Sequence, residues 1–212
     1  GTNDIMVAGG MESMTNAPHL VFARKGVRYG ATQMYDHMAM DGLEDAYDKG
    51  RLMGTFAEDT AQAYQLTREA QDAFAAESVR RAQRASKEGD FVAEIAPATI
   101  KTRKGEQVVA TDETPFQLDI DKIPTLKPAF GKDGTVTAAS SSSISDGAAA
   151  IVLMSESAAK AAGLKPLARL VSYASHAQAP EWFTTAPAPS MQKALDRAGW
   201  TVADVDLFEI NE

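Results

Sequence analysis

The sequence predicts an α/β protein. Its C-terminal part alternates strand and helix signals, its middle carries two helical stretches with legible ends, and 44% apolar residues in a chain of 212 can supply a sizeable core.

Asp4 to Ala8 reads as a short buried strand, ended by Gly9 and Gly10. Residues 15 to 55 show no sustained period and read as an irregular, extended excursion; such loops inside compact proteins are usually functional or interfacial. Thr55 to Leu66 reads as one helix. Thr67 is placed to cap a second, with Glu69 and Asp72 near its positive end, Arg80, Arg81, Arg84 and Lys87 in its later turns, and Gly89 as its stop. Ala70, Phe74, Val79, Ala82 and Ala85 form its apolar stripe, and its charged face reads as a solvated one. Phe91 to Ala110 alternates as a strand pair turning at Lys101 to Gly105, with Glu106 to Val109 as the return arm. Pro115, Pro124 and Pro128 then break up a stretch without regular structure.

From Gly134 to Gly147 the chain is small and polar, and Ala148 to Met154 is an apolar run that reads as buried. Ser155 caps a helix through Ala162 that Gly163 stops. Leu167 to Ala174 and Asp206 to Ile210 read as strands flanking a helix from Ser190 to Ala198, itself ended by Gly199. Strand, helix, strand, helix, strand implies parallel packing of the strands. The chain starts inside a strand unit and stops at the carboxyl end of a buried strand, where α/β sheets place ligands, so both ends are expected to be cuts within a longer protein.

A net charge of -8 and a pI near 5.0 give no basic footprint for nucleic acid, although a few local lysines can still serve an anionic small ligand. No apolar run approaches the ~20 residues of a membrane span, and no signal peptide is visible, so no membrane partner is expected. The chain holds no cysteine, which excludes disulfides, thiolate metal sites and a cysteine nucleophile within it. His19, His37 and His176 lack metal-ligand spacing, and no carboxylate pair stands out as an acid–base dyad.

Four segments carry the chemistry. They are Val7-Ala-Gly-Gly-Met-Glu-Ser-Met-Thr-Asn-Ala-Pro-His19, Met53-Gly-Thr-Phe-Ala-Glu58, Gly134-Thr-Val-Thr-Ala138 running on to Asp146-Gly-Ala-Ala-Ala150, and Phe208-Glu-Ile-Asn-Glu212. In this order and at these spacings the whole chain resembles the thiolases, the acetyl-CoA acetyltransferases and 3-ketoacyl-CoA thiolases. The resemblance implies a layered αβαβα architecture, here incomplete, with an inserted α+β loop domain. On that reading residues 1–14 end the first part of the N-terminal domain and 15–133 form the loop domain. Residues 134–163 return to the N-terminal domain, and 164–212 begin the C-terminal domain.

The resemblance further implies reversible Claisen chemistry on acyl-CoA, in lipid metabolism. A cysteine nucleophile takes the acyl group, a second cysteine moves the α-proton, and a histidine activates the nucleophile. A thiolate is nucleophilic yet leaves well from a thioester, and the oxyanions that form must meet preorganised donors. The nucleophile loop would precede Gly1, and the histidine and second-cysteine motifs would follow Glu212, so this chain alone is expected to be inactive. Asn211 is the catalytic residue carried over, as the holder of an oxyanion-stabilising water, a role suited to a neutral carboxamide. Read without the family, an Asn at a strand end is a turn or cap residue.

The CoA contacts implied are Ser142 for the pantetheine amide, Ala138 by its backbone, and Met53, Phe130 and Phe183 as apolar walls. Met and Phe are otherwise core residues, and a serine run is otherwise a loop. Leu52 departs from the family, standing where many short-chain members have histidine. Pro115 or Phe116 stands where some members carry an arginine for the CoA phosphate. That task then falls to Lys101, Arg103 or Lys104, and no potassium site is expected. CoA and acyl-CoA are therefore expected as substrates, with no tightly bound cofactor. A homotetramer or dimer is expected of the parent protein, in the cytoplasm or, in a eukaryote, the mitochondrial matrix. The leading reading is acetyl-CoA acetyltransferase. The alternatives are a degradative 3-ketoacyl-CoA thiolase or a non-catalytic CoA-binding or oligomerising module.

Overall fold

The computed structural model of the chain describes residues 3–211. In chain order they form β1 (Ile5–Glu12), β2 (His19–Leu20), β3 (Tyr35–Asp36), α1 (Met53–Ala63), α2 (Arg68–Glu88), β4 (Ala98–Thr102), β5 (Gly105–Val109), α3 (Thr114–Gln117), β6 (Gly147–Met154), α4 (Glu156–Ala161) and α5 (Pro187–Ala198), with short 3-10 turns between several of them. Two compact units result, one of Gly1–Phe56 with Ser143–Glu212 and one of Ala57–Ser142.

In the second unit α2 is bounded as its sequence dictates. The Thr67 hydroxyl accepts from the Ala70 amide, and Gly89 closes the helix at φ 80°, a left-handed conformation that costs glycine nothing. Its buried face is Asp72, Ala75 and Ala76, packed with Ile123, Leu118, Ile120 and Ala139. The expected stripe is therefore rotated, and Phe74 is 64% exposed. The cause is Arg68. Its Nε donates to both Asp72 carboxylate oxygens at 2.9 and 2.8 Å, and its Nη2 donates to the carbonyls of Ile123 at 3.2 Å and Leu126 at 2.8 Å. Paired in this way Asp72 can be buried, and the small alanines one turn on let the Ile120–Thr125 turn approach.

Pro115, expected in irregular chain, sits inside the short helix α3, and its carbonyl accepts from Gln83 Nε2 of α2 at 2.7 Å. The hairpin of β4 and β5 forms with Thr102 opposite Gly105, but residues 91 to 97 do not extend it. The Glu94 and Ile95 amides turn back to the Phe91 carbonyl, and Pro97 has no amide to give a ladder.

In the first unit the two apolar runs pair with each other. β1 and β6 are antiparallel, from Ile5 opposite Met154 to Glu12 opposite Gly147. The ladder continues through Gly9, where an added Cβ would collide with the Ala149 carbonyl, so the glycines extend this strand rather than end it. Both runs were expected to be buried. They are exposed, Val7 by 71% and Ile151 by 58%, because a two-stranded ribbon leaves two bare faces.

Two further expectations are corrected. Leu167 to Ala174 is not a strand: the Tyr173, Ala174 and Ser175 carbonyls accept from Arg197, Ser190 and Lys193 of α5, and Ser172 Oγ donates to the Ala194 carbonyl at 2.6 Å. Helix side chains thus take the carbonyls of the last two residues of the segment, Tyr173 and Ala174. Asp206 to Ile210 likewise joins no ladder among the described residues. Among the described residues every ladder is antiparallel, so the parallel packing inferred from element order is absent. Ser155 caps α4 through the Ala158 amide, and α5 begins at Pro187, three residues before its expected start.

Candidate functional site

The chain after Gly134 has consecutive amides and, among the described residues, no strand beside it, so those amides need other acceptors. Glu58 on α1 supplies them. Its carboxylate accepts from the Thr135 amide at 3.0 and 2.8 Å, the Val136 amide at 2.9 Å and the Thr135 hydroxyl at 3.0 Å. Gln71 Nε2 on α2 donates to the same Thr135 hydroxyl at 2.9 Å and to the Leu66 carbonyl at 3.0 Å. Gly134 leaves room for the carboxylate; a Cβ there would collide with it.

Beyond this clamp Thr137 is fully buried, at 0% exposure. Its hydroxyl accepts from the Ala139 amide at 3.2 Å, while its carbonyl accepts from the Ser140 and Ser141 hydroxyls at 3.3 and 2.7 Å. Two hydroxyls of the serine run are thus turned inward, whereas Ala138 and Ser142 stay exposed. Ala139 packs on the α2 core, and the Ala129 amide donates to the Val136 carbonyl at 2.9 Å, which ties half-buried Phe130 to the same loop. Phe130, Ala138 and Ser142 accordingly share one scaffold within the second unit. An exposed serine hydroxyl beside backbone groups can donate to or accept from an amide-bearing ligand.

Met53, Phe183 and Asn211 belong to the first unit. Met53 opens α1 and is exposed. The Phe183 ring stands edge-on to buried Phe56 at 6.2 Å, and the Arg51 guanidinium lies 3.9 Å over the Phe56 ring. Asn211 is exposed, and Glu212 of its motif lies outside the described residues. Lys101, Arg103 and Lys104 are exposed at the β4–β5 turn.

A second clamp joins two other motifs. Asp146 accepts from the Thr15 amide at 2.9 Å and from the Ser13 hydroxyl at 3.5 Å. These bonds, the Thr15 amide foremost, hold its carboxyl below the usual aspartate range. Glu58 and Asp146 stand inside the sequence motifs, where spacing assigns neither a task. Their one signal was an acidic residue in an otherwise apolar or small segment.

The family description "Thiolase, N-terminal domain" matches residues 1–157, and "Thiolase, C-terminal domain" matches residues 164–212. The chain is 48% identical over 213 residues to the acetyl-CoA acetyltransferase of Rhizobium meliloti (strain 1021), covering 100% of this chain and 54% of that protein. Among solved structures, the acetyl-CoA acetyltransferase from Syntrophomonas wolfei superposes with a TM-score of 0.88 at 42% identity, covering 96% of this chain and 51% of that one. That of Bacillus anthracis gives 0.87 at 39%, with 96% and 52% covered. The chain spans about half the length of the curated relatives it matches.

Proposed function

This chain belongs to the thiolase family, and from that premise we propose that it is the CoA-receiving portion of an acetyl-CoA acetyltransferase. Its fold is the α/β fold of the thiolases, in part. The observation that carries the functional reading is the loop after Gly134. Glu58 and Thr137 fix its backbone and turn two of its hydroxyls inward, leaving Ala138 and Ser142 exposed on a scaffold shared with Phe130. Relatives named for acetyl-CoA chemistry support the choice of ligand.

In this reading Ser142 meets the pantetheine amide and Phe130 is an apolar wall for it, both within the second unit; in the first unit Met53 and Phe183 are read as apolar walls and Asn211 as the holder of a water for the thioester oxyanion. The basic hairpin turn is the candidate for the phosphates. Residues 15–133 act as the inserted loop domain, and the parent assembles as a dimer or tetramer in the cytoplasm or mitochondrial matrix. The reaction itself, condensation of two acetyl-CoA or its reverse, needs a thiolate this chain does not carry.

Titration calorimetry tests the binding half: the 212-residue chain binds CoA, and Ser142→Ala weakens it about fivefold, the worth of one hydrogen bond. An assay for thiolysis of acetoacetyl-CoA tests the rest. No turnover is expected from the chain alone, and robust turnover by a sample of verified mass would sink the essential role given to the missing cysteine.

A further inference from the structure

We propose that Glu58 is the positioning residue of the CoA-facing loop, acting through the amides of Thr135 and Val136. The inference rests on the reading of that loop as a CoA contact, and it goes beyond that reading by naming what holds the contact in shape. Glu58 lies 77 positions before Thr135, yet its two carboxylate oxygens take two consecutive amides and one hydroxyl. Hydrogen bonds to an ionised acceptor are about twice as strong as neutral ones, and consecutive amides converging on one anion fix the backbone between them. With that stretch fixed, the Thr137 cap follows, and the exposed side of Ala138 and Ser142 follows from the cap.

Gln71 works alongside. By donating to Thr135 Oγ1 it turns the hydroxyl proton toward Glu58, so α1 and α2 approach the loop through one threonine. Gly134 is the third part, because any side chain there would expel the carboxylate from its place. Glu58 itself touches no ligand in this scheme.

Two substitutions separate the parts. Glu58→Gln keeps the side-chain shape but places a donor amide where an acceptor stood, and Gly134→Ala displaces the carboxylate without removing it. Amide exchange in the ligand-free chain is the direct readout. In both variants Thr135 and Val136 should exchange at least about tenfold faster, as the loss of a charge-assisted bond implies, while α2 and the β4–β5 hairpin stay as in the unsubstituted chain. Unchanged exchange at Thr135 and Val136, or equal acceleration throughout Ala57–Ser142, would overturn the proposal.

Calorimetry with three probes supplies the readout that a general loss of structure would not give. CoA and pantetheine should each bind about tenfold more weakly to the variants, while adenosine 3′,5′-bisphosphate binds as before. If the unsubstituted chain binds CoA and the variants bind it equally well, the positioning role falls alone. If the unsubstituted chain binds no CoA, the proposed function falls, and the exchange data still judge the clamp.

Discussion

Asp146 joins the Asp-Gly-Ala-Ala-Ala segment to the Ser13-Met-Thr15 turn through one carboxylate. The Thr15 amide, then the Thr15 side chain, hold its pKa below the usual aspartate value, so folding favours the ionised form. Its stabilising contribution is complete above the ordinary carboxylate pKa and is lost as pH falls through the lower folded value. Exchange of the Thr15 amide, followed as pH is lowered through the carboxylate range, should quicken. In Asp146→Asn the same amide should start fast and show a flatter pH dependence once the intrinsic chemistry of exchange is subtracted. Neither this contact nor that of Glu58 could be read from spacing. Asp146 reaches back 131 positions to Thr15 and Glu58 forward 77 to Thr135, and no local pattern encodes a contact over such separations. What the sequence did carry was the set of segments in which the two acids stand.

Helix ends were legible because their causes are local. Thr67 caps α2, Ser155 caps α4, and Gly89, Gly163 and Gly199 take left-handed conformations at φ 80°, 66° and 70°. Replacing Thr67 by Ala should lower stability by about 1 kcal/mol, seen as a smaller urea midpoint with an unchanged slope. The face of α2 was not legible. Its rotation depends on Arg68 meeting the Ile123 and Leu126 carbonyls, which brings the charged Asp72 inside and leaves Phe74 outside. The strands failed for a related reason. Composition marks Leu167 to Ala174 as able to extend, but a ladder also needs a neighbouring strand; among the described residues none pairs with it, and α5 side chains take the Tyr173 and Ala174 carbonyls. The hairpin of β4 and β5 succeeded because its partner is supplied two residues away.

At the scale of the molecule, the β1–β6 ribbon leaves apolar side chains well exposed on both of its faces, Val7, Met11 and Val152 on one and Ile151 on the other. Among the described residues no further strand pairs with either outer edge of this ribbon. The chain should therefore bind a hydrophobic dye strongly and scatter light increasingly with concentration at neutral pH. Val7→Lys should reduce both signals, since a charge on a bare sheet face opposes stacking.

The carboxylate of Glu58 has one more consequence. Because it grips Thr135 and Val136, residues 58–136 form a closed loop whose ends meet at this carboxylate, its neck. A stretch with adjoining ends can grow, shrink or be swapped for a counterpart without moving the chain on either side of it. Variation in length among related sequences should accordingly gather on the far side of that neck, around the β4–β5 hairpin, and spare Glu58 and Gly134 at the neck itself.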